Sequence, residues 1–410
     1  MIKFRDYQSD IINKGVNIIK HHRFLYLAME VRTGKTLTAL GICNELDINN
    51  VLFVTKKKAI PSIEKDYELY QPKYKMQTIN YESLHKINPN GWDVIICDEA
   101  HGMGAFPKPN GRAKKIKQLV FKNNPYVILL SGTPTPEAYS QMYHQVYFIP
   151  NNPFKMFRNF YQFANQYVSV VKKKIGGLYI NDYSKGNKKI LKEMSPFTIS
   201  FSQKEAGFVV HTNEQILEVD MEKETYQLIA KLKKDLVIEG KEEVILADTA
   251  VKLMTKVHQL CSGTIKFESG NSMVLDLSKA LYIKNKFKGL KIGIFYKFKE
   301  ELNALKAVFK DNLCVDLEEF NTTNKHIALQ IVSGREGISL RKAHALVYYN
   351  IDFSATSYWQ SRDRMTTKDR LKNEVYWIFS NKGIEKEIYK AVVKKKDYTL
   401  AHFKRDLLTL

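Results

Sequence analysis

Two short strings carry side chains suited to one reaction. Gly34-Lys35-Thr36 follows the apolar run FLYLA, and Asp98-Glu99-Ala100-His101 follows DVIIC. Backbone N–H groups at a helix start favour anions, a lysine such as Lys35 reaches β- and γ-phosphates, and the Thr36 hydroxyl suits Mg²⁺. Asp98 is a second Mg²⁺ ligand, and Glu99 is placed to orient and deprotonate an attacking water. Splitting of a nucleoside triphosphate is the chemistry these residues fit. The strict phosphate-loop pattern has glycine where this chain has Met29. His101 reads either as a metal ligand or as a coupling residue, and no second His or Cys at ligand spacing supports the metal. A third segment, YVILLSGTPTP, delivers the hydroxyls of Ser131 and Thr133 to a loop that proline then stops.

These residues need a rigid frame. FLYLA (24–28), VLFVT (51–55), DVIIC (93–97) and YVILL (126–130) read as strands. They lack polar alternation, as expected when both sheet faces are covered. A helix is expected from Leu37 to Leu46. Strands alternating with helices predict a parallel, doubly wound α/β sheet over 1–150. The stretch 151–211 changes character. It has aromatics at helical spacing, which suit either core packing or base contacts, then VKKKIGGLYINDY, a glycine hairpin or loop rich in lysine. It is expected to be a helical and basic insertion. A second α/β pattern follows over 212–410. A helix is expected over 222–238, and IGIFY (292–296), IALQIV (327–332), ALVYYN (345–350) and VYWIF (375–379) read as strands. A basic amphipathic helix is expected from Ile384 to Leu410.

Composition narrows the class. The 410 residues suggest two or three domains. No run approaches roughly 18 apolar residues, so a membrane span is not expected, and the N-terminus does not resemble a secretory leader. Cys43, Cys97, Cys261 and Cys314 are scattered and form no metal spacing, which suits a reducing, cytoplasmic setting. The net charge of +21 suits a polyanionic partner, although a basic surface of solvated lysines reads the same way.

The order of these segments resembles superfamily 2 helicases and translocases, and within them the Swi/Snf-like double-stranded DNA translocases. RDYQ (5–8) resembles the adenine-reading entry motif, with Gln8 and Arg5 as its contacts. AMEVRTGKT resembles the nucleotide loop, including Thr33 and Gly34, DEAH the acidic box, and SGTPTP the coupling motif. KVHQLCSG (256–263), IGIFYKFKEEL (292–302) and GIEKEIY (383–389) resemble later elements of the branch. VSGREGISLRKAHALVYYN (332–350) resembles the motif that touches DNA and nucleotide, where Gly337 falls. YWQSRDRM (358–365) resembles the motif that supplies Gln360 and an arginine finger.

The resemblance implies two RecA-like domains in tandem around one ATP and Mg²⁺. Lys35, Asp98, Glu99, Gln360 and Arg364 would be catalytic. Two departures stand out: Arg32 replaces the usual glycine, and Thr367 replaces a second arginine. Arg364 is therefore the expected finger, with Arg362 or Arg370 as substitutes. Duplex or branched DNA is the implied track, RNA remaining open, in phage or mobile-element replication or recombination, with replication, recombination or nuclease proteins as possible partners. Lys56, Lys57, Lys58, Lys172, Lys173, Lys174, Ser333 and Arg335 are candidate backbone contacts. A strand-separating DNA or RNA helicase, with the Gly-Gly hairpin as pin, and a non-hydrolysing clamp or nuclease subunit are the alternatives.

Overall fold

The computed structural model describes residues 3–136, 138–175, 178–208, 211–240, 242–334, 338–367, 370 and 372–394. Two compact units divide the chain, one running to Phe208 and the other ending at Lys394.

The first unit holds strands β1 (Phe24–Met29), β2 (Asn50–Thr55), β3 (Lys75–Asn80), β4 (Val94–Cys97), β5 (Tyr126–Leu130), β6 (Val171–Ile175), β7 (Leu178–Asp182) and β8 (Thr198–Phe201). Six of them form a sheet in the order β3-β2-β4-β5-β1-β8, parallel throughout. β1, β4 and β5 are almost wholly buried apolar runs, which explains their missing alternation: helices cover both faces. Leu52, Ile95, Val127 and Tyr26 pack toward one apolar cluster, and Phe53, Ile96, Ile128 and Leu27 toward the other.

The register matters for function. β4 and β5 are neighbours, as are β5 and β1, and all three point the same way. The residues that follow them, Asp98, Ser131 and the loop before Lys35, therefore emerge side by side at the carboxyl edge of one sheet, where ligands gather in open α/β sheets. The helix expected from Leu37 starts earlier, at Lys35, and ends at Asn44.

The boundary expected near residue 150 does not separate two compact units. The stretch from 151 to 208 is built into the first. Phe154, Phe160, Phe163, Tyr167 and Tyr183 join its core, and β8 pairs with β1 as the sixth strand. The aromatic helix Phe160–Tyr167 thus packs inward. Burying each such ring contributes roughly 1.5–3 kcal/mol. The lysine-rich stretch is an antiparallel hairpin of β6 and β7.

The second unit contains β9 (His211–Val219), β10 (Val237–Glu239), β11 (Val244–Leu246), β12 (Thr264–Lys266), β13 (Ser272–Val274), β14 (Ile292–Tyr296), β15 (Leu313–Cys314), β16 (His326–Gln330), β17 (Ala345–Tyr348) and β18 (Lys372–Ser380). Its main sheet runs β15-β16-β14-β17-β18-β9, again all parallel. The helix expected over 222–238 spans Lys223–Asp235 before the chain turns into β10. The strand expected over 327–332 stops at Gln330, and Ile331–Gly334 is helical. Of the terminal helix, Glu385–Lys394 is observed; its continuation lies outside the described residues. Among the described residues no helix is long and apolar enough to cross a membrane.

Candidate functional site

The phosphate loop grows out of β1. Gly34 has φ 83°, a left-handed conformation that costs an L side chain 1–2 kcal/mol or so. A β-carbon there would also come within 2.5 Å of Gln8 Nε2. Arg32 takes the same left-handed region, at φ 63°. That backbone shape accounts for glycine being the usual residue at this position, and here arginine carries it. Thr33 Oγ1 donates to the Glu30 carbonyl at 2.7 Å, folding the loop on itself, and Lys35 Nζ reaches the same carbonyl at 3.4 Å.

Neighbouring elements brace the loop. Tyr7 donates its hydroxyl to the Thr33 carbonyl at 3.1 Å and stacks on Phe201, with centroids 4.7 Å apart. Gln8 is buried; its Nε2 donates to the Gly34 carbonyl at 3.4 Å and its Oε1 accepts from the Arg5 amide at 3.0 Å. Arg5 Nη1 donates to Tyr7 at 3.0 Å. Beyond β8, the Gln203 amide donates to Glu30 Oε2 at 2.7 Å and its side chain to the Val31 carbonyl at 3.0 Å. Nothing in the sequence signals Gln203: it becomes part of the loop only because β8 lies beside β1.

The acidic pair sits at the end of β4. The Asp98 amide donates to the Val54 carbonyl of β2 at 2.8 Å, which carries the sheet pairing one residue past the strand. Thr55 donates to Asp98 Oδ2 at 2.8 Å, and the Tyr81 phenol to the Asp98 carbonyl at 2.6 Å. Burial raises the Asp98 carboxyl to about 6 and the Glu99 charge adds to the rise, while the Lys35 ammonium and the Thr55 hydroxyl oppose it. Lys35 and Asp98, distant in the chain, therefore feel each other's charge across the loop. Glu99 adopts φ 50°, ψ 44°, again left-handed. Such strain at a carboxylate near the phosphate loop is the kind that functional sites keep.

From Glu99 a chain of polar contacts crosses to β5. His101 Nδ1 lies 3.3 Å from Glu99 Oε2 and 3.0 Å from Ser131 Oγ. Ser131 Oγ accepts the Thr133 amide at 3.1 Å. The hydroxyl of Thr133 itself is buried without a partner. A β-carbon at Gly132 would stand 3.7 Å from Lys35 Nζ, so the SGT loop closes over the lysine. His101 thus bridges the acidic box and the hydroxyl loop. Among the described residues no group of three His, Cys, Asp or Glu could cage a metal. The oxygens available, the Asp98 carboxylate and the Thr36 hydroxyl at a helix start, fit Mg²⁺, which keeps waters and phosphate oxygens in its shell. Lys57 and Lys58 lie exposed just past β2, on this same sheet edge.

The second unit holds the remaining expected residues. Gln360 lies in the helix Ala355–Arg362, its side chain outside the described part. Gly337 and Arg335 also lie outside the described residues, as do the side chains of Ser333, Lys173 and Lys174; Lys172 is exposed on β6. Three arginines were candidates for the finger, and their contacts differ. Arg370 donates to the carbonyls of Lys372, Arg341, Ala343 and His344 at 2.9–3.3 Å. Arg362 pairs with Glu214 at 2.7 Å. Arg364, in the turn Asp363–Met365, is largely buried and donates to the Ile338 carbonyl at 3.3 Å. All three are thus bonded within their own unit, Arg370 through four carbonyls and Arg362 through a carboxylate.

Two parallel α/β sheets in tandem, the first with a phosphate loop, an Asp-Glu pair and a hydroxyl loop at adjoining strand ends, define a superfamily 2 ATPase core of the tandem RecA-like class. The chain belongs to the SNF2-related domain family, whose model matches residues 25–265. The CHD3-type chromatin-remodeling factor CHR7 of Arabidopsis thaliana is 20% identical over 394 residues, covering 85% of this chain. The chain spans 30% of that protein's length. Among solved structures, the Sulfolobus solfataricus SWI2/SNF2 ATPase core in complex with dsDNA has a TM-score of 0.43 at 15% identity, covering 99% of this chain and 94% of that one. The Sulfolobus solfataricus SWI2/SNF2 ATPase core domain also has a TM-score of 0.43, at 16% identity, covering 97% of this chain and 89% of that one.

Proposed function

We propose that this chain is an ATP-dependent, nucleic-acid-stimulated motor that moves along or remodels duplex or branched DNA. One observation carries the reading: Lys35, Asp98, Glu99, His101 and Ser131 converge at three adjoining strand ends and are linked there by polar contacts. Lys35 and Thr36 would hold the triphosphate, Asp98 and Thr36 would hold Mg²⁺, which would supply charge neutralisation at the phosphates, and Glu99 would draw the proton from the attacking water. His101 reports the state of Glu99 to the SGT loop. Arg364 is the residue that the family resemblance offers as the arginine finger.

DNA as the track is supported by family membership and by the charge of +21. A phage or mobile-element setting is the one its lysine-rich composition favours. Phosphate release with single-stranded, duplex, forked and four-way DNA and with RNA tests the reading, beside displacement of a third strand from a triplex. Stimulation by duplex DNA, abolished by Lys35→Ala and Glu99→Gln and weakened steeply by salt, is expected. Equal low rates in all three proteins would leave a non-hydrolysing clamp.

Strand separation is the second reading, favoured by the β6–β7 hairpin, where Tyr179 is 71% and Ile180 50% exposed. Unwinding of a forked duplex that Tyr179→Ala abolishes, with ATPase retained, would favour it.

A further inference from the structure

We infer that Glu214, on β9, is the positioning residue that sets the arginine-bearing turn of the second unit. The inference rests on the motor reading above and names a group that reading did not contain. β9 is an edge strand, and Glu214 faces Val375 of β18 in the register. Its carboxylate is 15% exposed and gathers four donors from three different elements. Oε2 accepts from the Tyr358 hydroxyl at 2.7 Å, the Tyr389 hydroxyl at 3.2 Å and the Trp377 indole N–H at 3.3 Å. Oε1 accepts from Arg362 Nη1 at 2.7 Å.

Tyr358 and Arg362 are four residues apart, so they share one face of the helix Ala355–Arg362. Two of the four donors therefore come from the helix that leads directly into Arg364. Below them, Tyr358 stacks on Trp377 with centroids 5.4 Å apart, and Trp377 on Tyr348 at 3.9 Å. Ser361 accepts the Tyr348 hydroxyl at 2.6 Å. The aromatic stack fixes the height of the helix above the sheet. Aromatic stacking tolerates rotation and sliding, whereas directional bonds to a charged acceptor do not. Glu214 thus fixes the helix's rotation, and with it the direction from which the following turn leaves. The turn Asp363–Met365 begins where that helix ends, so a rotated helix shifts the start of the turn against its anchor at Leu340, whose N–H donates to the Arg364 carbonyl at 2.8 Å.

The test is steady-state ATPase of the full chain with saturating duplex DNA, for Glu214→Gln, Arg364→Ala and the double variant, each checked by thermal melting. Gln keeps the size of Glu214 and an acceptor for the tyrosines but drops the ion pair with Arg362. Glu214→Gln is expected to lower kcat roughly tenfold, as small misplacements of reacting groups do, with KM for ATP unchanged because the phosphate-binding residues lie in the first unit. The double variant is expected to match Arg364→Ala alone, since both substitutions act through one group. Full additivity in the double variant, or a rise in KM at constant kcat, would overturn the inference. Should Arg364→Ala itself run at the wild-type rate, the finger assignment falls first, a different outcome from Glu214→Gln alone being silent. If Glu214→Gln does not fold, Tyr358→Phe keeps the ring and removes one bond. It is expected to lower kcat roughly threefold by the same displacement, and an unchanged kcat there would equally overturn the inference.

Discussion

Asp98 in the first unit and Glu214 in the second are both carboxylates taken largely out of water, and their surroundings differ. Asp98 accepts from Thr55 and from the Glu99 backbone and feels the Lys35 charge, yet burial beside a second acid raises its carboxyl to about 6. Glu214 accepts four donors, one of them a guanidinium. The backbone differs in the same direction: Arg32, Gly34 and Glu99 are left-handed around the phosphate loop and acidic box. Around Glu214 the elements are an extended edge strand, a regular helix and an aromatic stack. A group awaiting a cation is kept under-coordinated and strained. A group that holds a neighbour in place is saturated.

The strongest way to break this comparison is Arg364→Ala. If Arg364 is the mobile charge and Arg370 a structural clasp, Arg364→Ala should reduce DNA-stimulated kcat by about 10³-fold or more with little change in melting temperature. Arg370→Ala should instead lower the melting temperature, because four carbonyls lose their donor. A reversal of these two results would move the finger to Arg370. Next in size, Glu99→Gln should cost about 10²–10⁴ in kcat while ATP binding, followed by equilibrium titration, persists.

A stability measurement sharpens the contrast between the carboxylates. The folded-state pKa of Asp98 is raised, so its ionised form opposes folding; that penalty builds above the unfolded value of 3.8 and is complete above about 6. Asp98→Asn should therefore raise the melting temperature at pH 8 while abolishing hydrolysis, with the gain shrinking as pH falls toward 4. Glu214→Gln should lower it at every pH in that range. Both substitutions shifting stability the same way would erase the distinction.

The smallest effect concerns His258. Burial, aided by the Lys297 charge, lowers its pKa to about 3, and its Nε2 meets Asn350 Oδ1 at 2.5 Å. Its depressed folded-state value means its stabilisation is full above pH 6.5 and is lost on acidification toward 3. The slope is at most about 1.4 kcal/mol per pH unit. Denaturant melts between pH 7 and 5 should show this slope, flattened in His258→Gln.

How much of this was legible in the chain follows from where each residue sits. β1, β4 and β5 are central parallel strands, buried on both faces, so their apolar runs were plain; that the polar residues after them share one sheet edge follows from the strand order. The sequence offered a coupling role for His101 but not its partner, and only the structure brings it to Ser131. The edge strands β3 and β9 mix polar with apolar residues and are only partly buried, so KMQTIN and HTNEQILEV lack the apolar run that marks a central strand, and neither stands out as a strand. Glu214 and Gln203 were therefore out of reach, since each depends on an edge strand docking in register. The aromatic helix at 160–167 left packing and base contact open, and only the shared core with β1 and β5 decides for packing.

β8 has a consequence for how this chain can be dissected. The segment that braces Glu30 and Val31 comes from Gln203, far downstream. A fragment cut near residue 150 would retain every recognised motif of its half and still lose the lateral support of its nucleotide loop. Protease nicking in the β6–β7 hairpin, by contrast, would leave β8 seated against β1. Engineers who shorten this half should loop out the hairpin and spare the returning strand.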